Sequence, residues 1–163
     1  PALLSLVIAL LMVGCGDGIV DYDDLENRNG VTYLADEETP FTGRAERFYR
    51  NGQKQEEGNY KDGIMQGLWT RWYENGQKKG EGRMKDGKLM SAVAWKPNGE
   101  KCPVTGLKDG NGLLALWHVN GQKSSEAKFK NGKREGRMIY YNYDGTEMGS
   151  IKYMDGERIY DFD

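Results

Sequence analysis

Turn dipeptides recurring at near-fixed spacing constrain this sequence more than any other feature. Asn-Gly or Asp-Gly ends at Gly52, Gly63, Gly76, Gly87, Gly99, Gly110, Gly121, Gly132, Gly145 and Gly156, with separations of 11, 13, 11, 12, 11, 11, 11, 13 and 11 residues. Both dipeptides suit tight hairpin turns, because Gly adopts positive φ freely and Asn or Asp tolerates it. Short runs holding aromatic or aliphatic residues flank each one, so each reads as the tip of a hairpin. Two turns make one unit, and successive units are 24, 23, 22 and 24 residues long. A near-constant period of this size marks a repeat architecture. The fold class predicted is all-β, and Gly67 to Met90 is one full copy of the unit.

Aligning the copies on the first turn picks out candidate core positions. Three residues before it stand Phe48, Trp72, Trp95, Trp117 and Tyr141; nine after it stand Tyr60, Met84, Leu107, Phe129 and Tyr153. These two columns are the expected core, each large side chain worth roughly 1.5 to 3 kcal/mol when fully buried. Eight residues before the turn a glycine opens the strand in four copies, Gly43, Gly67, Gly112 and Gly136, while Met90 takes its place in the most divergent copy, where Pro97 and Pro103 also intrude. A further apolar column, Ala45, Trp69, Ala92, Leu114 and Met138, differs in parity from the aromatic one. Alternate residues of a strand face opposite sides. Either a bulge separates the two columns or the strand is covered on both faces.

At 163 residues, with 37% hydrophobic residues and 23 glycines, the chain is one domain of thin β layers, and its net charge of -2 argues against a bulk nucleic-acid binder. Ala2 to Val13 are apolar but for Ser5 and stop at Gly14-Cys15. Twelve such residues fall short of the roughly 20 that span a bilayer but suit a signal-peptide core. Met12-Val13-Gly14-Cys15 resembles a bacterial lipobox, with Met12 where Leu is usual, which implies cleavage before Cys15 and a lipid on its thiol. The alternative is an uncleaved anchor with an incidental Cys. Gly16, where Asp would favour retention in the inner membrane, makes the outer membrane the default for a Gram-negative cell. The chain is thus expected to be exported and lipid-anchored to the cell envelope.

The organisation that follows is a signal peptide at 1–14, a lipidated Cys15 with an acidic tether over 15–28, a lead-in strand and cap at 29–43, the repeats at 44–158 and a tail at 159–163. Residues 16–38 carry eight acidic side chains against Arg28 alone, a charge of -7, leaving +5 on 39–163. Asp21-Tyr22-Asp23-Asp24 fails as a calcium loop because Leu25 occupies a required ligand position. Within the lead-in, Val31 to Leu34 reads as a strand capping the array. Past Cys15, the lone Cys102 cannot make an internal disulfide, nor can it build a zinc site with the only histidine, His118, without carboxylates.

The alternation of Tyr73 to Gly82 (YENGQKKGEG) with segments such as Lys61 to Trp69 (KDGIMQGLW) resembles the variant MORN repeat (membrane occupation and recognition nexus). It is similar in particular to bacterial proteins labelled YwqK-family antitoxin. Asn29 to Leu34 followed by Pro40 to Gly43 also resembles the start of that array, so the likeness covers roughly residues 28 to 158. It implies successive β-hairpins laid side by side in an elongated, twisted antiparallel sheet, protein or lipid contact as the role, and no catalytic residues or cofactors to carry over.

An enzyme would have to use His118, which occupies a column held elsewhere by Tyr49, Tyr73, Lys96 and Asn142 and so reads as structural. The Gly-Lys pairs at Gly87 and Gly132 are turn residues, not a phosphate loop. Two binding classes remain. In one, exposed Tyr49, Arg71, Tyr73 and His118 contact a protein partner, a toxin being one candidate, since aromatics and Arg dominate hot spots. In the other, the aromatic rows bind cell-wall glycan or lipid headgroups. Lys54, Lys78, Lys101 and Lys123 follow the first turn, and Lys61, Lys85, Lys108 and Lys130 precede the second. These columns form either a basic stripe or a guard against edge pairing. A plain envelope spacer is the third option.

Overall fold

The computed structural model describes residues 18–160. In chain order they form β1 (Ile19–Asp21), a 3-10 turn at Tyr22–Asp24, β2 (Leu25–Arg28), β3 (Val31–Leu34), β4 (Gly43–Phe48), β5 (Lys54–Lys61), β6 (Ile64–Trp72), β7 (Lys78–Lys85) and β8 (Lys88–Ala94), then β9 (Gly106–Lys108), β10 (Asn111–Trp117), β11 (Lys123–Lys130), β12 (Lys133–Tyr141), β13 (Glu147–Met154) and β14 (Glu157–Ile159). Strands β4 to β14 lie side by side in sequence order, each antiparallel to the next, in a sheet of twelve strands completed by β1. The expected all-β array of hairpins is the fold observed.

The two turns of a unit are built differently. Asp62, Asp86, Asp109, Asn131 and Asp155 have φ between 50° and 55° and precede a positive-φ glycine, as the expected two-residue hairpin requires. The first turn is wider. At Glu74 to Gly76 only the glycine has positive φ; Gly76 N–H donates to Tyr73 O at 2.9 Å and Tyr73 N–H donates to Gln77 O at 2.8 Å. The Asn75 carboxamide oxygen accepts the Gln77 N–H at 3.0 Å, so asparagine is chosen here for an Asx turn and not for its tolerance of positive φ.

Register shifts decide which way the side chains face. In the β6–β7 pair Arg71 stands opposite Gly80 and Trp72 opposite Lys78, leaving Lys79 as the extra residue; Gln55, Ser124 and Met148 occupy the same place in other units. The bulge thus lies in the second strand of the hairpin. The first strand keeps its alternation, so Trp69, Arg71 and Tyr73 share one side and Trp72 faces the other. Apolar cover on both faces, together with a bulge across the hairpin, accounts for the parity difference. Between hairpins a second bulge falls in mid-strand: Gly58 pairs with Trp69 and Asn59 with Gln66, so Gly67 and Leu68 are extra. Gly67 sits at φ +75°, as does Gly136 in the corresponding bulge of β12, which explains the glycine at these two positions of the column. At β8 only Met90 is extra, a smaller bulge that a side chain tolerates.

The buried set differs from the expected core. In the aromatic column only Trp117 is buried, and Phe48 is 49% exposed. Two small clusters form the centre: Leu89, Ala92 and Leu107, with Met84, Leu114 and Phe129 packed against them, and Ala94, Cys102, Ala115 and Trp117. Tyr73 and Thr70 are the largest fully buried side chains.

Residues 19–28, expected as part of a solvated tether, are folded onto the array. Strand β1 runs parallel to β4, and Arg47 reaches Asp23 at 2.6 Å. The 3-10 turn sets the Tyr22 ring edge-on to Tyr60, 6.3 Å between centroids, and Phe41 lies 5.8 Å from the same ring. The β2–β3 hairpin docks on the first tight turn through Thr32 N–H to Gly63 O at 2.9 Å. The proposed signal peptide and Cys15 lie outside the described residues. Among the described residues no helix is long and apolar enough to cross a membrane.

Candidate functional site

Alternation places one residue in two of each strand on a common face, and the sheet curls so that this face closes around a groove of about 530 Å³. Its lining comes from Glu56 on β5, Met65, Trp69 and Arg71 on β6, Met84 on β7, Leu89 on β8, Leu114 and Leu116 on β10, Phe129 on β11 and Met138 on β12, with Lys133, Arg134, Asp155 and Glu157 at the far end. The size is within the roughly 300–1,000 Å³ typical of ligand clefts. Curling is permitted by small residues on the inner face. A Cβ on Gly82 would stand 2.7 Å from Leu89 Cδ1 and 3.5 Å from the Trp69 ring, so glycine there lets the indole lie against the strand. Three methionines add flexible, polarisable surface suited to an irregular partner.

A hydrogen-bonded polar cluster stands at the N-terminal end. The buried Glu56 carboxylate accepts Trp69 Nε1–H at 2.7 Å and an Arg71 N–H at 2.9 Å, and the Arg71 guanidinium lies 4.6 Å from the Trp69 ring centroid. Beside it, Lys79 extends its ammonium over the Tyr73 ring at 5.4 Å. Burial, reinforced by the Arg71 charge, pushes the Lys79 amine below the ordinary lysine value.

Of the four expected contact residues, Arg71 alone lines the groove. Tyr73, expected to be exposed, is 2% exposed, because the curl turns it under the next unit; burial raises its phenol pKa. Its hydroxyl donates to Trp95 O at 2.9 Å. Tyr49 and His118, both half-buried, do the same one unit along: Tyr49 Oη donates to Trp72 O at 2.8 Å, and His118 Nε2–H donates to Tyr141 O at 2.8 Å. The column read as a contact surface is therefore a brace between successive units. Histidine replaces tyrosine in it because both place one donor at the end of a flat ring. The groove residues Trp69, Leu114 and Met138 were legible as the second apolar column, while Lys79 carried no signal, since only the bulge turns it toward Tyr73.

Repeat similarity attaches to two hairpins. Residues 41–62 and 65–86 match the MORN repeat variant. The first MORN segment covers β4 and β5 and the second covers most of β6 with β7, each ending at a tight turn, so the matched length is one hairpin. Trp69, Arg71, Tyr73 and Lys79 all fall within the second MORN segment. No curated protein and no solved structure gives a significant match.

In the two matched hairpins the first lysine column is neutralised: Lys54, over the Trp72 ring, pairs with Glu46 and Glu57 at 2.9 and 2.8 Å, and Lys78, over the Trp95 ring, pairs with Glu81 at 2.6 Å. The second column, Lys61, Lys85, Lys108 and Lys130, is exposed at strand ends. Among the described residues no cluster of three or more His, Cys, Asp or Glu could hold a metal ion.

Proposed function

We propose that this chain is a non-catalytic, membrane-anchored binding module that seats an apolar segment of a protein partner in its curled groove. The open groove itself carries this reading: half-buried aromatic, leucine and methionine side chains line it beside the Glu56–Arg71–Trp69 cluster, in which Glu56 is buried. Aromatic and arginine anchors in a partly desolvated site are the composition of binding hot spots. The lipobox-like Met12 to Cys15 supports export and attachment to the envelope through Cys15. The likeness to antitoxin-labelled proteins suggests an envelope-acting toxin as the partner, since a lipid-anchored inhibitor could not reach one in the cytosol.

The test is capture from an envelope extract by the chain carrying residues 16–163, with protein, glycan and lipid quantified. One protein bound in stoichiometric amount, and lost with Met84→Glu or Met138→Glu in a chain whose circular dichroism is unchanged, is the expected outcome. Capture that survives both changes defeats the groove reading. A second reading rests on the exposed lysine row: headgroup binding through Lys61, Lys85, Lys108 and Lys130 would fade with salt. Asp62, Asp86 and Asp109 directly follow three of those four lysines and cancel three of the four positive charges of the row, which favours the groove.

A further inference from the structure

The face that forms the groove continues beyond the open space. Arg47, Ala45 and Gly43 of β4 stand opposite Glu56, Gly58 and Tyr60 of β5, and Glu56 lines the groove, so alternation puts all six on that face. No residue of β4 borders the open space, however. Gly43, Ala45 and Gly58 leave a shallow floor there, and Tyr22 covers it from outside the repeats. A Cβ on Gly58 would meet Tyr22 Oη at 2.6 Å and Trp69 Cδ1 at 3.4 Å, so the phenol lies over the glycine directly beside an indole that lines the groove. The Tyr22 ring packs edge-on against Tyr60, and the Arg47 guanidinium lies 5.7 Å from its centroid. Tyr22 is thus a stopper at the N-terminal end of the groove.

What holds the stopper is slight. Strand β1 contributes three parallel pairs to β4, and its Ile19 is largely exposed. The Asp23 carboxylate that pairs with Arg47 is also largely exposed, and surface ion pairs of this kind contribute little. Tyr22 Oη is buried and makes no hydrogen bond among the described residues, although the Tyr60 phenol is close by. Phenylalanine would fill the same space without an unpaired buried hydroxyl, so tyrosine weakens the closed arrangement. Just beyond, the chain is fastened again where Ala35 N–H donates to Asp24 O at 2.8 Å, which sets the hinge at Asp24.

We infer that residues 18–24 are a displaceable strap, whose Tyr22 closes the N-terminal end of the groove and whose release extends the groove across β5 and β4. This rests on the groove reading above and adds its regulation: a bound segment that reaches past Trp69 must take the place of Tyr22, so strap and partner compete.

The experiment measures native-state hydrogen exchange in the chain carrying residues 16–163, on peptides spanning 18–24 and 43–48. Binding of the apolar dye anilinonaphthalene sulfonate is followed alongside. In dilute urea both peptides should exchange by a local route that urea hardly changes, while β7 and β8 exchange through global unfolding. Tyr22→Phe should slow exchange of 18–24 about tenfold and lower dye binding. Tyr22→Ala should speed exchange and raise dye binding severalfold, a gain that Met84→Glu abolishes. Exchange of 18–24 that follows urea as steeply as β7, or that Tyr22→Phe fails to slow, overturns the strap and leaves the groove reading standing. Dye binding that is equal in all three chains also overturns it. No dye bound even by Tyr22→Ala defeats the groove reading as well.

Discussion

Truncating Tyr73 should cost the protein far more than truncating its neighbour Trp72, although tryptophan is the larger residue. Tyr73 is 2% exposed. A buried aromatic removes roughly 150–250 Å² from water, and at about 25 cal/mol per Å² its loss forfeits about 4 kcal/mol, or about 3 once residual burial in the unfolded chain is discounted. The Tyr73 hydroxyl also donates to the Trp95 carbonyl, and leaving that acceptor unpaired adds about 1 kcal/mol. Tyr73→Ala is therefore expected to cost about 4 kcal/mol and Tyr73→Phe about 1 kcal/mol. Trp72 is half-buried on the opposite face beneath Lys54, so Trp72→Ala should cost about 2 kcal/mol. Urea unfolding followed by far-UV circular dichroism compares the three without relying on tryptophan emission. The slope as well as the midpoint must be compared, since an array of repeats can lose cooperativity when one interface is weakened. If Trp72→Ala costs as much as Tyr73→Ala, the assignment of faces is wrong.

Two further outcomes follow from the same geometry. His118→Leu should lower stability by about 1 kcal/mol and His118→Tyr by less than about 0.5 kcal/mol in urea titrations, because tyrosine restores the donor used by Tyr49 and Tyr73; a neutral His118→Leu would show that the bond to Tyr141 O braces nothing. Glu126 accepts the Lys123 ammonium at 2.7 Å and the Tyr141 hydroxyl at 2.8 Å. The Lys123 hydrogen bond, opposed by burial and aided by Tyr141, holds its carboxyl below the ordinary value. A depressed folded-state pKa stabilises above the unfolded value of about 4.3 and is lost as pH falls through the folded one. The stability gap between the parent chain and Glu126→Gln should therefore be constant near neutrality and close below about pH 4; a gap independent of pH would refute the assignment.

Much of this molecule is readable residue by residue. Asp62-Gly63 and its equivalents dictate tight turns because few dipeptides accept positive φ twice, and their spacing dictates strand lengths and sequential antiparallel order. The Asn75-Gly76 type of turn was placed correctly but built differently, since an asparagine followed by glycine suits both a two-residue turn and an Asx-capped wider loop, and the hydrogen bonds of Tyr73 and Gln77 choose between them.

Facing and curl belong to the tertiary structure. Whether Trp69 or Trp72 turns inward depends on how the sheet bends, and the local pattern is apolar on both sides. Placing Lys79 as an extra residue opposite an unbroken β6 depends on the pairing partner, which a single strand does not encode. The curl sets Leu89 N–H 3.0 Å from Gly132 O, residues almost two units apart, and only that closure gathers Arg71, Leu116 and Met138 around one groove. Local turn chemistry determines the array because φ preferences act within a few residues; the groove arises only when twelve strands accumulate their twist.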